Sequence, residues 1–256
     1  MAAPLSLSAY LYTALTMAAF EDMGFFRANW GMEEPMGWGS NAGCDLLQEK
    51  CITNGTTKYP GMFCTEESFK CTSDRTSLGD CSLDEYDTAL PEWFQYFSDP
   101  KIGAYPHSLT DYCTVVEPIF RSCANTEEQP MTGNVVSSDS WCLDGNELTV
   151  NTPLGASQTG GVCAAVSCAD GAVKVRYAGD ANWHDCPEGR SLTPSETSLT
   201  FASGSIKCPK YTEVCTIAAN GSSRITIKAN ADSTVASYTV MPLVWLSLVA
   251  SMVAAL

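Results

Sequence analysis

The sequence predicts an α+β protein, in which a helical segment at the amino end precedes a disulfide-rich, loop-rich domain with short antiparallel strands. Three observations lead to this prediction. Residues 9–23 form an apolar run of helical length, thirteen cysteines follow it, and short apolar runs alternate with Gly, Pro, Asn and Asp from Cys51 onward. Such punctuated runs between cysteines are typical of small strands held together by disulfides.

The apolar run AYLYTALTMAAFEDM, residues 9–23, contains only four polar side chains, and Gly24 follows where a helix commonly ends. A helix that is apolar almost all round is typically buried. We therefore expect a buried helix here, although little in the next twenty residues could cover it. Residues 30–43 are rich in glycine, which predicts a long connection with sparse regular structure.

One antiparallel ribbon is predicted from alternation. In AVKVRY, residues 172–177, Val173, Val175 and Tyr177 share one face, and the preceding Asp170-Gly171 pair is a hairpin turn signal. Residues 199–201 could add a further strand.

The cysteines indicate an oxidising, extracellular setting. They occupy thirteen positions, namely Cys44, Cys51, Cys64, Cys71, Cys81, Cys113, Cys123, Cys142, Cys163, Cys168, Cys186, Cys208 and Cys215. The sequence has no C-x-x-C, which argues against zinc ribbons and thioredoxin-type sites. An odd number leaves at least one thiol without a partner in the chain. The sequons at Asn54 and Asn220 are acceptors for glycans in the same compartment.

The charge excludes one class of partner. Fourteen Lys and Arg against 29 Asp and Glu give a net charge of −15. Such a chain repels phosphate backbones, so we expect no nucleic-acid partner.

The carboxyl end predicts attachment to a membrane. Residues 240–256, VMPLVWLSLVASMVAAL, are uncharged and apolar, after a small and polar stretch, residues 218–239, that is typical of a solvated stalk. A transmembrane helix is one interpretation, but the run is short and contains Pro242. A glycosylphosphatidylinositol signal fits better, with Asn230 as the attachment residue. The expected location is then the cell surface, on the outer face of the plasma membrane.

Chemistry-bearing residues are sparse. His107 and His184 are the only histidines, and they lie far apart in the sequence. Paired carboxylates could perform acid–base work, but adjacent ones are more often a solvated face; these pairs are Glu33-Glu34, Glu66-Glu67 and Glu127-Glu128. From these residues alone we predict no catalytic and no metal-binding residue in this chain.

Several strings in the sequence resemble the leishmanolysin family of surface metalloproteases. They are YTALTMAAFEDMGFF, WGMEEPMGWGSNAGCDLLQEKC, YPGMFC, LPEWFQYFSDP, DYC, GVCAAVSC and CPKYTEVC. The resemblance covers residues 1–217 in segments and is weaker over residues 125–150. The similar part is the carboxyl-terminal portion of the family's proteins.

The resemblance implies a zinc metalloendopeptidase of the metzincin type, with protein or peptide substrates and adhesion to host surface proteins. Its zinc cofactor is bound through H-E-x-x-H and a third histidine, and these find no counterpart here. The implied domains are residues 1–49, the end of a helical metzincin subdomain, residues 50–217, the disulfide-rich domain, and residues 218–256, the stalk and anchor signal.

The resemblance also implies six disulfides. They join Cys51 with Cys113, Cys64 with Cys81, Cys71 with Cys142, Cys123 with Cys163, Cys168 with Cys215, and Cys186 with Cys208. Cys44 is left unpaired, because its family partner would lie upstream of Met1.

Two functions are therefore expected. The first is the carboxyl-terminal part of a leishmanolysin-like cell-surface zinc metalloendopeptidase, with the H-E-x-x-H region missing from this chain. The alternative is a truncated, non-catalytic surface glycoprotein that acts in adhesion or as a decoy.

Overall fold

Antiparallel β-sheet dominates the computed structural model, which describes residues 11–40, 42–108, 110–119, 122–127 and 130–217. All of these belong to one compact unit, Met1–Ile225. The described strands are β1 Lys70–Cys71, β2 Leu78–Cys81, β3 Leu83–Glu85, β4 Ile102–Ala104, β5 Val116–Pro118, β6 Ser140–Thr152, β7 Gly155–Ser167, β8 Lys174–Arg176, β9 His184–Asp185, β10 Ser191–Leu192 and β11 Phe201–Lys207. The described α-helices are α1 Ala14–Asp22, α2 Asp45–Gln48 and α3 Tyr211–Val214.

The predicted fold class is confirmed in part. The antiparallel strands and the disulfide-rich domain are present, but an α+β class is not confirmed, because α2 and α3 are single turns of four residues and α1 has only nine. None of the described helices is long and apolar enough to cross a lipid bilayer. The division at residues 49 and 217 stays a prediction.

A long hairpin of β6 and β7 is the centre of the largest sheet. The strand order in that sheet is β10-β11-β6-β7-β8-β9, a second sheet has the order β1-β2-β5, and β3 pairs with β4. The two hairpin strands have thirteen residues each, and Pro153 and Leu154 connect them. They pair from Ser140↔Ala165 to Thr152↔Gly155.

An irregularity in β6 keeps one face of the hairpin apolar along its length. The register shifts between Asp144 and Leu148. Trp141 and Leu143 before the shift, and Leu148 and Val150 after it, are all buried in the same core cluster. In an unbroken strand, odd and even positions would point to opposite faces. Across the shift, three residues of β6, 145–147, lie opposite only Gly160 of β7, and this irregular stretch returns the apolar side chains to the core side.

The opposite face of the hairpin base carries cysteines. Cys142 and Cys163 are direct cross-strand partners, yet they are not bonded to each other. Cys142 is bonded to Cys71 of β1, and Cys163 is bonded to Cys123. These two bridges attach the β1-β2-β5 sheet to the hairpin.

The other four disulfides are Cys51–Cys113, Cys64–Cys81, Cys168–Cys215 and Cys186–Cys208. All six bridges have the pairing that the family resemblance implies.

The ribbon predicted at residues 172–177 is present as β8, which pairs with β7 on one side and β9 on the other. Asp170 and Gly171 both have positive φ, of 58° and 72°, as the turn signal requires. The strand suggested at residues 199–201 begins only at Phe201, and Leu199 before it is almost fully exposed.

Arg75 connects three elements by ion pairs. It lies in the turn between β1 and β2, its Nη2 is 2.9 Å from a carboxylate oxygen of Asp144 in β6, and its Nε is 3.0 Å from one of Glu213 in α3. Burial by itself lowers the pKa of Arg75, but the two carboxylates outweigh this and raise it above its ordinary value. Glu213 also accepts the backbone N–H of Lys210 at 3.1 Å, which fixes the start of α3. The side chain of Arg75 is only 20% exposed, so water screens these pairs weakly.

We predict that Arg75→Gln lowers the free energy of unfolding by about 1–3 kcal/mol, because it leaves two half-buried carboxylates without their cation. Urea unfolding followed by tryptophan fluorescence measures the change. The control is Lys58→Gln, which removes an ion pair whose side chains are all about half exposed or more and should cause no measurable change. Equal effects of the two substitutions would contradict the role of Arg75.

Candidate functional site

The helix α1 begins and ends where the sequence dictates. The Thr13 side chain accepts the backbone N–H of Thr16 at the start, and Gly24 follows the end with a φ of 76°. The segment before α1 is held by Glu34, whose carboxylate accepts the Tyr12 backbone N–H at 2.6 Å and whose own N–H donates to the Tyr12 carbonyl at 2.9 Å.

The prediction that this helix is buried is wrong for the described structure. Met17 is its only buried residue. Large apolar side chains between 37% and 83% exposed surround it; they are Tyr12, Leu15, Phe20, Met23, Phe25, Phe26 and Trp30. The physical reason is that the described residues supply no element to cover them. We call these seven side chains the aromatic surface.

The aromatic surface is ordered by its own contacts. The Phe20 ring stacks on Tyr12 with centroids 6.0 Å apart and meets Phe26 edge to face at 5.5 Å. The indole N–H of Trp30 donates to Glu21 at 2.8 Å. Soluble monomers rarely expose large apolar patches unless these contact another molecule.

A groove with a volume of about 1110 Å³ lies next to this segment. The amino-terminal segment contributes Leu11, Ala14 and residues 33–37 to its lining, and the disulfide-rich domain contributes Met62, Val116 and Ile217 among others. We call it the lysine groove after Lys70, Lys207 and Lys210. The ion-paired Arg75 and five carboxylates also line it, namely Glu33, Glu34, Asp74, Asp144 and Glu213. No sequence motif marks it, since its residues come from distant parts of the chain.

His184 belongs to a buried polar cluster. Its Nε2 donates to the Asp180 carboxylate at 2.9 Å, and its ring stacks on Tyr177 with centroids 4.9 Å apart. The Asp180 side chain is only 4% exposed. Hydrogen bonds from the Thr197 hydroxyl, the Asn182 backbone and His184 hold the pKa of Asp180 well below its ordinary value.

Tyr177 completes this cluster. Its hydroxyl lies 2.7 Å from that of Thr197, and because Thr197 donates to Asp180 it can accept from Tyr177. Burial raises the pKa of Tyr177, so the phenol stays protonated. These hydrogen bonds join the loop of residues 177–184 to residues 194–200.

His107 lies in a different part of the molecule. Its side chain is 75% exposed, it stacks on Tyr105, and its Nε2 is 3.5 Å from the Glu117 carboxylate. The other oxygen of Glu117 accepts the Ser108 hydroxyl. Neither histidine is therefore placed to act with the other.

The predicted carboxylate pairs have separate structural partners. Glu33 accepts the Gly31 backbone N–H, Glu34 holds Tyr12, and Glu66 lies 3.6 Å from the Lys70 ammonium. Glu128 lies outside the described residues. Within the part of the chain that the structure describes, no group of three His, Cys, Asp or Glu side chains could hold a metal ion.

The modification sites are only partly described. Asn54 is exposed in a tight turn with a φ of 50°. Asn220, Asn230 and residues 218–256 lie outside the described residues. Cys44 is exposed and is the one cysteine without a disulfide among the thirteen, all of which are described.

Comparisons with known proteins identify a family. The family model described as Leishmanolysin matches residues 1–222. The chain is 40% identical over 223 residues to a leishmanolysin of Leishmania donovani, covering 83% of this chain and 38% of that protein. It is 38% identical over 218 residues to one of Leishmania amazonensis, covering 81% and 36%.

A more distant relative is a leishmanolysin-like peptidase of Drosophila melanogaster, 26% identical over 247 residues, which cover 80% of this chain and 36% of that protein. The chain thus spans less than two fifths of the length of these relatives.

We predict that Asp180→Asn removes part of the acid sensitivity of folding. Because the folded-state pKa of Asp180 lies below its ordinary value of 3.8, its carboxylate stabilises the fold above that pH and loses this effect as pH falls through the folded-state pKa. At neutral pH the wild type should have the higher free energy of unfolding, and its difference from Asp180→Asn should become smaller below about pH 4. The control is Asp170→Asn in an exposed turn. Urea unfolding across pH measures the gap, and a constant gap would contradict the assignment.

We predict one reactive thiol per native chain, at Cys44. Labelling the monomer with a thiol reagent under native conditions, followed by mass mapping, should place the label on Cys44 alone, and Cys44→Ser should abolish it. A disulfide between Cys44 and another cysteine of the same chain would contradict the pairing. A disulfide between two chains would be detected as a dimer on a non-reducing gel.

Proposed function

The chain belongs to the leishmanolysin family, and from this premise we propose that it acts as the carboxyl-terminal part of a leishmanolysin-like cell-surface zinc metalloendopeptidase. The aromatic surface is the observation that carries the proposal. A nine-residue helix with one buried side chain, surrounded by exposed Tyr, Phe and Trp, is stabilised when further polypeptide covers it. The relatives are more than twice as long, so they contain further polypeptide that could cover it.

The described residues do not fit a zinc ion. A catalytic zinc site needs about three protein ligands of suitable type and an open position. His184 already donates Nε2–H to Asp180, and His107 faces Glu117 in another part of the fold. We therefore assign the zinc ligands and the general base to polypeptide outside this sequence, and no catalytic step to this chain. Its role is to stabilise the catalytic part through the aromatic surface.

The setting that we propose is the outer face of the plasma membrane. Six disulfides suit an oxidising compartment, and the exposed turn at Asn54 leaves room for a glycan. Attachment through a glycolipid at Asn230 and adhesion to host surface proteins rest on the sequence and on the family resemblance. The substrates would be proteins or peptides.

The alternative function is that of a non-catalytic surface glycoprotein in adhesion or as a decoy. One observation favours it. The described residues form a disulfide-bonded core in which the charged groups of the Asp180 cluster and of Arg75 are paired with other groups of the same chain.

We predict that a fusion of the amino-terminal part of the Leishmania donovani relative with this chain cleaves casein and is inhibited by a zinc chelator, whereas the purified chain binds no stoichiometric zinc and does not cleave. Within the fusion, Phe25→Ser with Phe26→Ser should reduce activity about tenfold or more, because covering each phenyl ring contributes about 2 kcal/mol to assembly.

The matched control is Trp93→Ser, which removes an aromatic side chain that is 82% exposed outside the aromatic surface. It should leave activity unchanged. Zinc-dependent cleavage by the purified chain would contradict the proposal. A folded but inactive fusion, with the double variant behaving as wild type, would favour the non-catalytic alternative.

A further inference from the structure

The connection that follows α1 leaves its backbone open. The helix ends at Asp22, and residues 24–29, which we call the junction, form neither helix nor strand. They are exposed except for Ala28, which is half-buried. Within the ranges that the structure describes, no backbone group of residues 25–28 forms a hydrogen bond. Another molecule could therefore bind this stretch of chain along its backbone.

The junction also carries side chains that endopeptidases recognise. Phe25 is 83% exposed and Phe26 is 60% exposed, and Arg27 follows them. A protease takes one such side chain into a pocket that sets its specificity, and a hydrophobic slot accepts an aromatic ring. Proteolytic nicking concentrates in exposed segments whose backbone is not buried or hydrogen-bonded. Accessible backbone and accessible recognition side chains thus coincide in the junction.

Other exposed apolar side chains lie in hydrogen-bonded turns. Leu154 is 101% exposed, but its N–H donates to the Thr152 hydroxyl at 3.3 Å. The Leu199 carbonyl accepts the side-chain amide of Asn151 at 2.9 Å. Trp93 lies in a single 3₁₀ turn. Exposure of the side chain is not sufficient at these positions, because the turn must open before a protease can bind the backbone.

A cut after Phe25 or Phe26 would divide the chain completely. The first cysteine of the sequence is Cys44, so no disulfide joins the amino-terminal piece to the rest. The contacts between the two pieces are noncovalent, and they include the hydrogen bonds between Tyr12 and Glu34. At least five of the seven side chains of the aromatic surface precede the cut. One cleavage would therefore remove most of the aromatic surface and leave all six disulfides intact.

We propose that the junction is a processing site, at which an endopeptidase that accepts aromatic side chains hydrolyses the peptide bond after Phe25 or Phe26. The step consumes one water and leaves a carboxylate on that phenylalanine and an amino group on the next residue. Its larger product is the disulfide-rich domain without α1. The inference concerns the chain by itself and stands if the proposed function fails. Polypeptide that covers the aromatic surface, as proposed above, would close the site.

The test is limited digestion of the purified native chain with a low concentration of chymotrypsin, stopped at intervals and mapped by mass spectrometry. Among the bonds within the described residues, the first cut should follow Phe25 or Phe26. A denaturing gel without reductant should then show two pieces, because the smaller one contains no cysteine. The larger piece should remain folded, with a cooperative thermal unfolding transition.

Two double variants separate the junction from exposure in general. Phe25→Ser with Phe26→Ser should slow the chymotryptic cut in the junction about tenfold or more, because it removes both rings that the hydrophobic slot accepts. The matched control, Trp93→Ser with Leu154→Ser, also removes two highly exposed apolar side chains. It should change the rate of the cut less than about twofold, because the backbone of the junction is unaltered.

Trypsin provides the control for the backbone itself. It should cut after Arg27 in both double variants within about twofold of the wild-type rate, because its pocket accepts a basic side chain. A first chymotryptic cut elsewhere among the described residues would overturn the proposal, and so would equal rates for the two double variants. Loss of the tryptic cut in Phe25→Ser with Phe26→Ser, or unfolding of the larger piece after cleavage, would also overturn it.

Discussion

The facing cysteines at the base of the β6–β7 hairpin are the constraint on which the rest of the structure depends. Cys142 and Cys163 occupy paired positions but bond outward, to Cys71 and Cys123. Gly161 permits this, because a side chain there would lie 2.7 Å from the Cys71 sulfur. The bridges close loops of 71 and 40 residues, each stabilising by about 4 kcal/mol. One hairpin thereby carries the apolar core on one face and a second sheet on the other.

This disulfide-bonded arrangement explains why function is expected at the surface of the molecule. The interior is occupied by disulfides, by the apolar cluster around Trp141, and by saturated polar groups at Arg75 and Asp180. Groups that already have their partners contribute stability and offer little to a ligand. The aromatic surface differs, since it exposes apolar area, and the lysine groove differs because it is open to a ligand between the amino-terminal segment and the disulfide-rich domain.

Sequence reasoning succeeded where the signal is local. The turn pair Asp170-Gly171 predicts the ribbon at β8, and the family resemblance gives the disulfide pairing seen in the structure. The β6 irregularity was missed, because a shift of register interrupts the alternation that would identify the strand. The expectation that α1 is buried was wrong. An apolar sequence indicates that a helix is suited to burial, but it does not show whether another element packs against it. The lysine groove was not predictable, because Lys70 and Lys207 meet only through tertiary packing.

Disulfide mapping of the native chain tests the central constraint most directly. Digestion under non-reducing conditions, with cleavage between 71 and 123, between 123 and 142 and between 142 and 163, separates the three possible pairings of these four cysteines. Peptides that join Cys71 to Cys142 and Cys123 to Cys163 are the predicted result. A bridge between the facing residues Cys142 and Cys163 would contradict the account, because it would leave the β1-β2-β5 sheet without its covalent attachment to the hairpin.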